Sequence, residues 1–288
     1  MSDVAIVNIA AAGGRAAKKA APYLREIPNL RIMETSHAGH ATSIAATIEA
    51  DRIIAVGGDG TLFEVVNGLM RREGPKPALG ILPVGTGNSF VRDLDLADPA
   101  RALAAIRADR RRAVDILQVD HDLGVAYSIN LVSVGFTAEV GAIRNRRFEP
   151  LGAAGYVAAV VVAVSRLSPP VFPITLDGGQ RDARPAVLLS FSNSRCTGGQ
   201  MCIAPAADPT DGLVDVIRVG PMGRRRLLTA FPKIYRGTHV AMPEVEATRA
   251  RVVHFDVAGP LDLMIDGEIL RARPSRLTVL PGAIQVLA

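Results

Sequence analysis

Arg52-Ile53-Ile54-Ala55-Val56-Gly57-Gly58-Asp59-Gly60-Thr61 runs from an apolar stretch of strand length into a glycine turn, and a helical pattern follows at once. Leu62, Val65, Val66, Leu69 and Met70 recur at helical spacing, with Glu64, Asn67, Arg71 and Arg72 on the other face. Strand, glycine turn and helix in this order belong to a parallel α/β sheet. Glycines let the backbone come close to a ligand, and the free N–H groups of a helix's first turn favour an anion there. Thr61-x-x-Glu64 reads as a capping box for the helix. Asp59 adds a carboxylate beside the anion, which makes chemical sense when Mg²⁺ or a hydroxyl stands between them. Alone, the turn also fits a tight strand-to-helix connection with a solvated aspartate.

The alternation extends in both directions. Segments 4–10, 30–34 and 78–82 read as further strands, and helices are expected near 15–24 and 40–50. An α/β domain with a parallel sheet is therefore expected over residues 1–111. Beyond it, helical patterns near 137–147, 152–168 and 222–236 interrupt short strands, with turn pairs at Asp177-Gly178, Asp211-Gly212 and Asp266-Gly267. Residues 112–288 are expected to form an antiparallel β-sandwich packed against the first domain across a cleft.

At 288 residues and 49% apolar content, the chain can bury a full core in one large or two ordinary domains. Its net charge is +5, carried almost wholly by arginine, with clusters at 110–112, 144–147 and 224–226. Such clusters suit phosphates or anionic lipid headgroups, or simply a solvated face. With no tryptophan, four tyrosines and eight phenylalanines there is little to stack on bases, and nucleic acid is not an expected partner. Residues 1–7 lack the basic region of a signal peptide, and the longest apolar run, 156–164, falls far short of the roughly 20 residues of a membrane span. A cytoplasmic protein is expected, with peripheral contact at most at the inner membrane face. Cys196 and Cys202 are too few and too close for a disulfide framework or a zinc site and are expected to be small buried side chains.

A second glycine turn, Pro83-Val84-Gly85-Thr86-Gly87-Asn88, follows the fourth strand. Neighbouring parallel strands end at one edge of the sheet, so the two turns can line one crevice, as a nucleotide requires. Gly-x4-Gly-Lys-Ser/Thr, Gly-x-Gly-x-x-Gly and the protein-kinase signatures are absent. With Glu64-Val65-Val66-Asn67-Gly68-Leu69 after the first turn and Gly85-Thr86-Gly87-Asn88 in the second, the chain resembles the diacylglycerol kinase and sphingosine kinase superfamily, bacterial lipid kinases in particular. Thr35 with His40-Ala41, Asp115, Asn130, Gly135-Phe136, Asn193, Gly198-Gly199, Ile203-Ala204-Pro205, Asp211-Gly212-Leu213 with Asp215, and Asp266-Gly267-Glu268 follow in that family's order, over nearly the whole chain.

The resemblance implies an NAD kinase/diacylglycerol kinase-like fold that uses ATP and Mg²⁺ to phosphorylate a lipid hydroxyl, of diacylglycerol or a related lipid alcohol, at the membrane surface. It implies nucleotide contacts at Asn8 and the turn after it, Thr35, Gly58, Asp59, Gly60, Thr61, Glu64 and Thr86, with Gly57, Gly85, Gly87 and Asn88 completing the two turns. Asp115 is implied to face a catalytic magnesium, and Asp208, Asp211 and the Leu213 carbonyl to hold a structural one, largely through water. Glu268 is implied to accept the proton, with Asp266 as second candidate. From the residues alone, Asp266-Gly267 reads as a type I′ hairpin turn, Asp211-Gly212 fits a metal loop and a plain turn equally well, and a helix cap is an alternative for Thr35 and the preferred reading for His40. His37, His121, His239 and His254 form no ligand pattern and read as surface or satisfied core residues.

The chain also departs from the family's pattern. Asn8-Ile9 stands in place of Asn-Pro, and Phe63, Ser89 and Thr137 occupy positions where the family carries Asn, Asp and Asp. A non-catalytic nucleotide- or lipid-binding member is thus one alternative. NAD kinase is the other, although the Asn-x-Gly-x-x-Gly-Phe-Leu expected of it at the next strand end is absent. A homodimer paired through an exposed strand of the second domain is compatible with this pattern.

Overall fold

The computed structural model describes residues 2–9, 14–148, 152–198 and 200–288, so the turn expected after Asn8, at 10–13, and Gly199 lie outside the described residues. Strands β1 (Asp3–Val7), β2 (Arg31–Glu34), β3 (Arg52–Gly57) and β4 (Ala78–Pro83) run parallel in the order β2-β1-β3-β4. Every residue of β1, β3 and β4 is buried, as apolar strands must be when helices cover both faces, and the two charged members, Asp3 and Arg52, pair with each other at 2.8 Å. The helices are α1 (Arg15–Leu24), α2 (His40–Thr47), α3 (Asp59–Met70) and α4 (Pro99–Ala108). Hydrophobic periodicity places no element over α4, yet Asp98 accepts a bond from Ala100 N at 3.0 Å and Pro99 opens the helix, a clear start signal.

The capping box does not form. α3 starts at Asp59, behind Gly58 as N-cap, and Thr61 lies inside it. Glu64 instead crosses to α2, accepting from Gly39 N at 2.8 Å and Ala41 N at 3.0 Å. This carboxylate supplies what Thr35 and His40 do not. Gly39 is the N-cap of α2, and Thr35 is buried just past β2 with its N–H on Val7 O at 3.0 Å.

The remaining strands are β5 (Arg111–His121), β6 (Gly124–Ser128), β7 (Leu131–Gly135), β8 (Ile174–Leu176), β9 (Arg181–Asp182) and β10 (Leu188–Ser192). They continue with β11 (Val214–Val219), β12 (Val245–Ala250), β13 (Val252–Phe255), β14 (Leu261–Ile265), β15 (Glu268–Ala272) and β16 (Pro274–Leu287). An antiparallel sheet runs β12-β11-β10-β7-β14-β15. β16 pairs antiparallel with β5 and β13, while Val286 near its end pairs in parallel with Leu79 of β4. The first sheet thereby continues into the second domain, and Ile284, Val286 and Leu287 pack in the core of the first. Val132, Val134, Leu189, Phe191, Val253 and Leu277 fill the space between the antiparallel layers, completing the expected sandwich.

The far face of the six-stranded sheet carries α5 (Phe136–Ile143), α6 (Gly152–Ser165) and α7 (Arg224–Ile234), joined in one apolar cluster with Leu188 and Val219. No helix among the described residues is long and apolar enough to cross a membrane. Cys196 and Cys202 correct the sequence expectation, since they form a disulfide. Thr197 and Met201 pair as an antiparallel bridge between them and bring the two Cα atoms to 3.9 Å.

Candidate active site

Gly57 ends β3 and Pro83 ends β4 in register, so both glycine turns leave one sheet edge side by side. Gly85 N donates to Gly57 O at 3.0 Å, and a Cβ on Gly85 would lie 2.4 Å from Gly58 Cα, a distance no side chain tolerates. Asp59 accepts from Ser89 N at 2.7 Å and Ser89 Oγ at 3.1 Å, tying the second turn to the start of α3. Burial pushes the Asp59 carboxyl up, and the Ser89 bonds oppose it.

A polar cleft of about 770 Å³ opens along these turns. Asn8, Gly58, Asp59, Gly60, Thr61, Glu64, Gly85, Thr86 and Gly87 all line it. Thr35, Gly57 and Asn88 do not: Gly57 is a buried strand end packed on Thr61, and Asn88 turns back to donate to Gly85 O at 3.0 Å. Thr42, Ser43 and Arg71 line the cleft although the sequence pattern assigns them to no site. Arg71 reads as a residue on the outer face of α3, and only the packing of α2 alongside α3 turns that face into a cleft wall.

An apolar cavity of about 340 Å³ lies between the outer face of the six-stranded sheet and helices α5 and α7. Phe136, Val140, Leu188, Leu227 and Phe231 line it, with Met201, Met222, Met242 and Met264, four of the seven methionines of the chain. Methionine adapts to irregular apolar shapes. Glu268, the first residue of β15, belongs to the walls of both the cavity and the cleft. A Cβ on Gly60 would stand 3.3 Å from Glu268 Oε1, so the carboxylate sits directly over the start of α3. Solvent reaches Glu268 from the cleft, yet the protein around it raises its pKa by desolvation, Glu64 adds to that, and Arg144 opposes it.

Asp266 and Gly267 connect β14 to β15 with φ of 51° and 99°, the two positive values a type I′ turn needs. The Asp266 carboxylate is fully engaged, accepting from Ser128 Oγ at 2.5 Å and from the N–H groups of Ile129, Asn130 and Leu131 at 3.0 Å each. Burial pushes it up to about 6 against those bonds. Asp115 is not brought to the cleft. It is 1% exposed, lines neither cavity, and accepts from Gly212 N and Gly282 N at 2.7 Å each, joining the Asp211-Gly212 turn to the bulge in β16.

The side chains implied to hold a structural magnesium largely through water have local partners. Asp208 accepts from Thr210 N at 3.0 Å and Oγ1 at 2.7 Å, and Asp211 accepts from Leu213 N at 3.0 Å. Arg112 lies 3.9 Å from Asp208 and Arg249 3.7 Å from Asp211, so guanidinium groups stand beside both carboxylates. Among the described residues no three His, Cys, Asp or Glu side chains gather around a cation position.

Three of the four departures from the family pattern have a local partner. Ser89 holds Asp59, Thr137 Oγ1 bonds Ser133 Oγ at 2.8 Å, and Phe63 packs against the sandwich core while facing the cleft. His239 is a core residue only half satisfied. Its Nε2 meets Ile203 O at 3.0 Å, its Nδ1 has no partner among the described residues, and burial lowers its pKa.

Comparison with known proteins agrees with this architecture. Residues 4–119 match the diacylglycerol kinase catalytic domain, and residues 130–288 match the YegS C-terminal NAD kinase beta sandwich-like domain. The chain belongs to the bacterial lipid kinase family of diacylglycerol kinases and YegS-like proteins. It is 33% identical over 253 residues to a Mycobacterium tuberculosis protein named diacylglycerol kinase, across 87% of this chain and 81% of that one. It is 32% identical over 246 residues to a Stenotrophomonas maltophilia protein named "Probable lipid kinase YegS-like", across 82% and 78%. A solved Bacillus anthracis chain described as a candidate diacylglycerol kinase matches with a TM-score of 0.78 at 26% identity, covering 99% of this chain and 96% of its own.

Proposed function

We propose that the protein transfers the γ-phosphoryl group of ATP to the hydroxyl of a lipid alcohol, diacylglycerol or a lipid of similar shape. The observation that carries this reading is the position of Glu268, which with Asp59 and Gly60 lies in the wall between a polar cleft edged by glycine turns and an apolar cavity, and of the two carboxylates Asp59 is already held by Ser89. Backbone N–H groups of the two turns and the first turn of α3 would neutralise phosphate oxygens, which is most of what phosphoryl transfer asks of a protein. A lipid chain in the cavity would present its hydroxyl beside Glu268. The carboxylate takes the hydroxyl proton as the oxygen attacks the γ-phosphorus, the bond to the β-phosphate oxygen breaks, and ADP leaves with a phosphorylated lipid. Arg144, also in the cavity wall, favours the ionised base. Mg²⁺ bound with the triphosphate would offset its charge; among the described residues no three carboxylates gather to hold it.

Radiolabelled ATP offered with diacylglycerol, sphingosine, ceramide, polyprenol and NAD in parallel tests the reading. Label should move to a lipid alcohol. Label on NAD alone, or no product despite calorimetric binding of ATP, would overturn it. Glu268→Gln should keep nucleotide binding and lose about 10²–10⁴-fold in turnover, the usual worth of a general base. Because desolvation lifts Glu268 above its ordinary 4.5 and the base must be ionised, kcat should fall as pH drops through an apparent value above 4.5.

A further inference from the structure

His239 lies in the short 3₁₀ turn Thr238–Ala241 that precedes β12, is 4% exposed, and lines the apolar cavity with Ile203, Ile234 and Met242. Its Nε2 stands 3.0 Å from Ile203 O. A carbonyl oxygen only accepts, so Nε2 carries the hydrogen, and in the neutral ring Nδ1 is left with a bare lone pair. Burial lowers the His239 pKa and so keeps the ring neutral. Buried polar atoms normally have a partner. Three buried side-chain atoms have none among the described residues, and of these only His239 Nδ1 belongs to the cavity wall. The place of His239 in the sheet shows which part of a lipid would meet it. Met242 N donates to His239 O at 2.9 Å and Val245 N to Met242 O at 3.0 Å, which ties the turn to the start of β12. Glu268 opens β15, and β12 and β15 are the two edges of the six-stranded sheet, five interstrand steps apart. At about 4.8 Å per step these edges stand roughly 24 Å apart, the reach of one long acyl chain. Val245, Val219, Leu188 and Met264, on four strands of that sheet or next to them, all line the cavity, so it crosses the sheet from one edge to the other.

We propose that His239 accepts a hydrogen bond from a hydroxyl on the distal part of a bound acyl chain, so that the preferred acceptor is a lipid alcohol with a hydroxylated chain. Such an O–H supplies the hydrogen that the cavity wall lacks at Nδ1, whereas the ester oxygens of a plain diacylglycerol have none to give. An amide N–H beside the reacting hydroxyl, as in a ceramide, is also a donor, but it would lie at the Glu268 end of the cavity. Leaving a buried acceptor unpaired has a cost, and a plain chain seated against His239 leaves it so. His239 thereby acts on specificity and takes no part in the transfer itself. The inference rests on the lipid-kinase reading for which end of the lipid faces Glu268.

Distearoylglycerol, the same lipid with one acyl chain hydroxylated at its end, and N-stearoyl ceramide separate the possibilities. Displacement of an anthroyloxystearate probe from the ATP-free protein measures binding, and radiolabelled ATP with detergent-dispersed lipid measures turnover. The end-hydroxylated lipid should bind about two- to tenfold more tightly than the plain one, the usual net worth of one hydrogen bond, and its kcat/KM should be higher by the same factor. His239→Phe should erase that ratio, which a uniform loss of folded protein would leave unchanged. In the wild-type protein, NMR of the histidine ring nitrogens should show the His239 Nδ1 resonance moving upfield with the hydroxylated lipid and not with the plain one. Equal affinity for the two glycerolipids, or a ratio that survives His239→Phe, would overturn the inference, as would a preference for ceramide alone. Turnover of all three lipids with one kcat/KM would refute the chain-hydroxyl reading and leave the kinase reading intact. Hydroxyl-dependent displacement with no lipid phosphorylated would refute only the kinase reading.

Discussion

Asp266 and Glu268 stand two residues apart on one hairpin and have opposite fates. Asp266 turns inward and meets four donors from residues 128–131, whereas Glu268 turns toward the cleft, over Gly60. The first is a structural staple, the second is available to a substrate. A carboxyl at about 6 when folded, against 3.8 unfolded, binds its proton more tightly in the folded state. Its contribution to stability is therefore full below the unfolded value and is lost as pH rises through the folded one. Asp266→Asn should flatten that slope between roughly pH 4 and 6. By setting amide N–H groups against backbone N–H donors, it should also cost about 1–3 kcal/mol at neutral pH. Urea denaturation at stepped pH measures both effects. At this scale the turn type and the place of Glu268 are legible in the sequence, because a two-residue hairpin is a local object. The role of Asp115 is not, since its partners Gly212 and Gly282 lie far along the chain and only the bulge in β16 delivers the second of them.

Two elements owe their geometry to a neighbour. The start of α2 is capped from α3 by Glu64, a residue whose sequence context points to its own helix. Glu64→Gln should lower stability by about 1–2 kcal/mol, since it removes a charge that accepts at a helix N-terminus. Because Gly39 also lines the cleft, the same variant should raise KM for ATP, and chemical denaturation with steady-state kinetics separates the two consequences. The second glycine turn has a stricter requirement. Gly85→Ala would drive a methyl group to 2.4 Å from Gly58 Cα, so the turns must part. Nucleotide binding should be lost by calorimetry, with a lower melting temperature from the strain. Strand–turn–helix succession identifies these elements correctly, and it mistakes only which side chain serves which helix end, a matter of interhelical packing.

For the whole molecule, β16 is the unifying element. Its first part belongs to the sandwich and its last residues lie in the core of the α/β domain. Asn67 of α3 adds a second tie, bonding Tyr127 O at 2.8 Å and Tyr127 N at 3.0 Å, and Arg195 a third, with Nε 2.6 Å from Asp93. Two domains so joined should melt in one calorimetric transition, and deletion of residues 284–288 should unfold both rather than shorten one. Circular dichroism of the truncated protein would show the loss.

The sequence by itself determined the strand and helix order of the first domain apart from α4, the two glycine turns at one sheet edge, the hairpin that presents Glu268 and the family to which the chain belongs. All of these are written in short-range patterns of apolar spacing and turn chemistry. Tertiary structure alone decided that Glu268 stands between cleft and cavity, that Glu64 caps a foreign helix, that Asp115 is buried away from the cleft, and that Cys196 meets Cys202. Each of these depends on the meeting of residues that local patterning leaves unpaired, and burial then chooses among partners that the chain order does not rank.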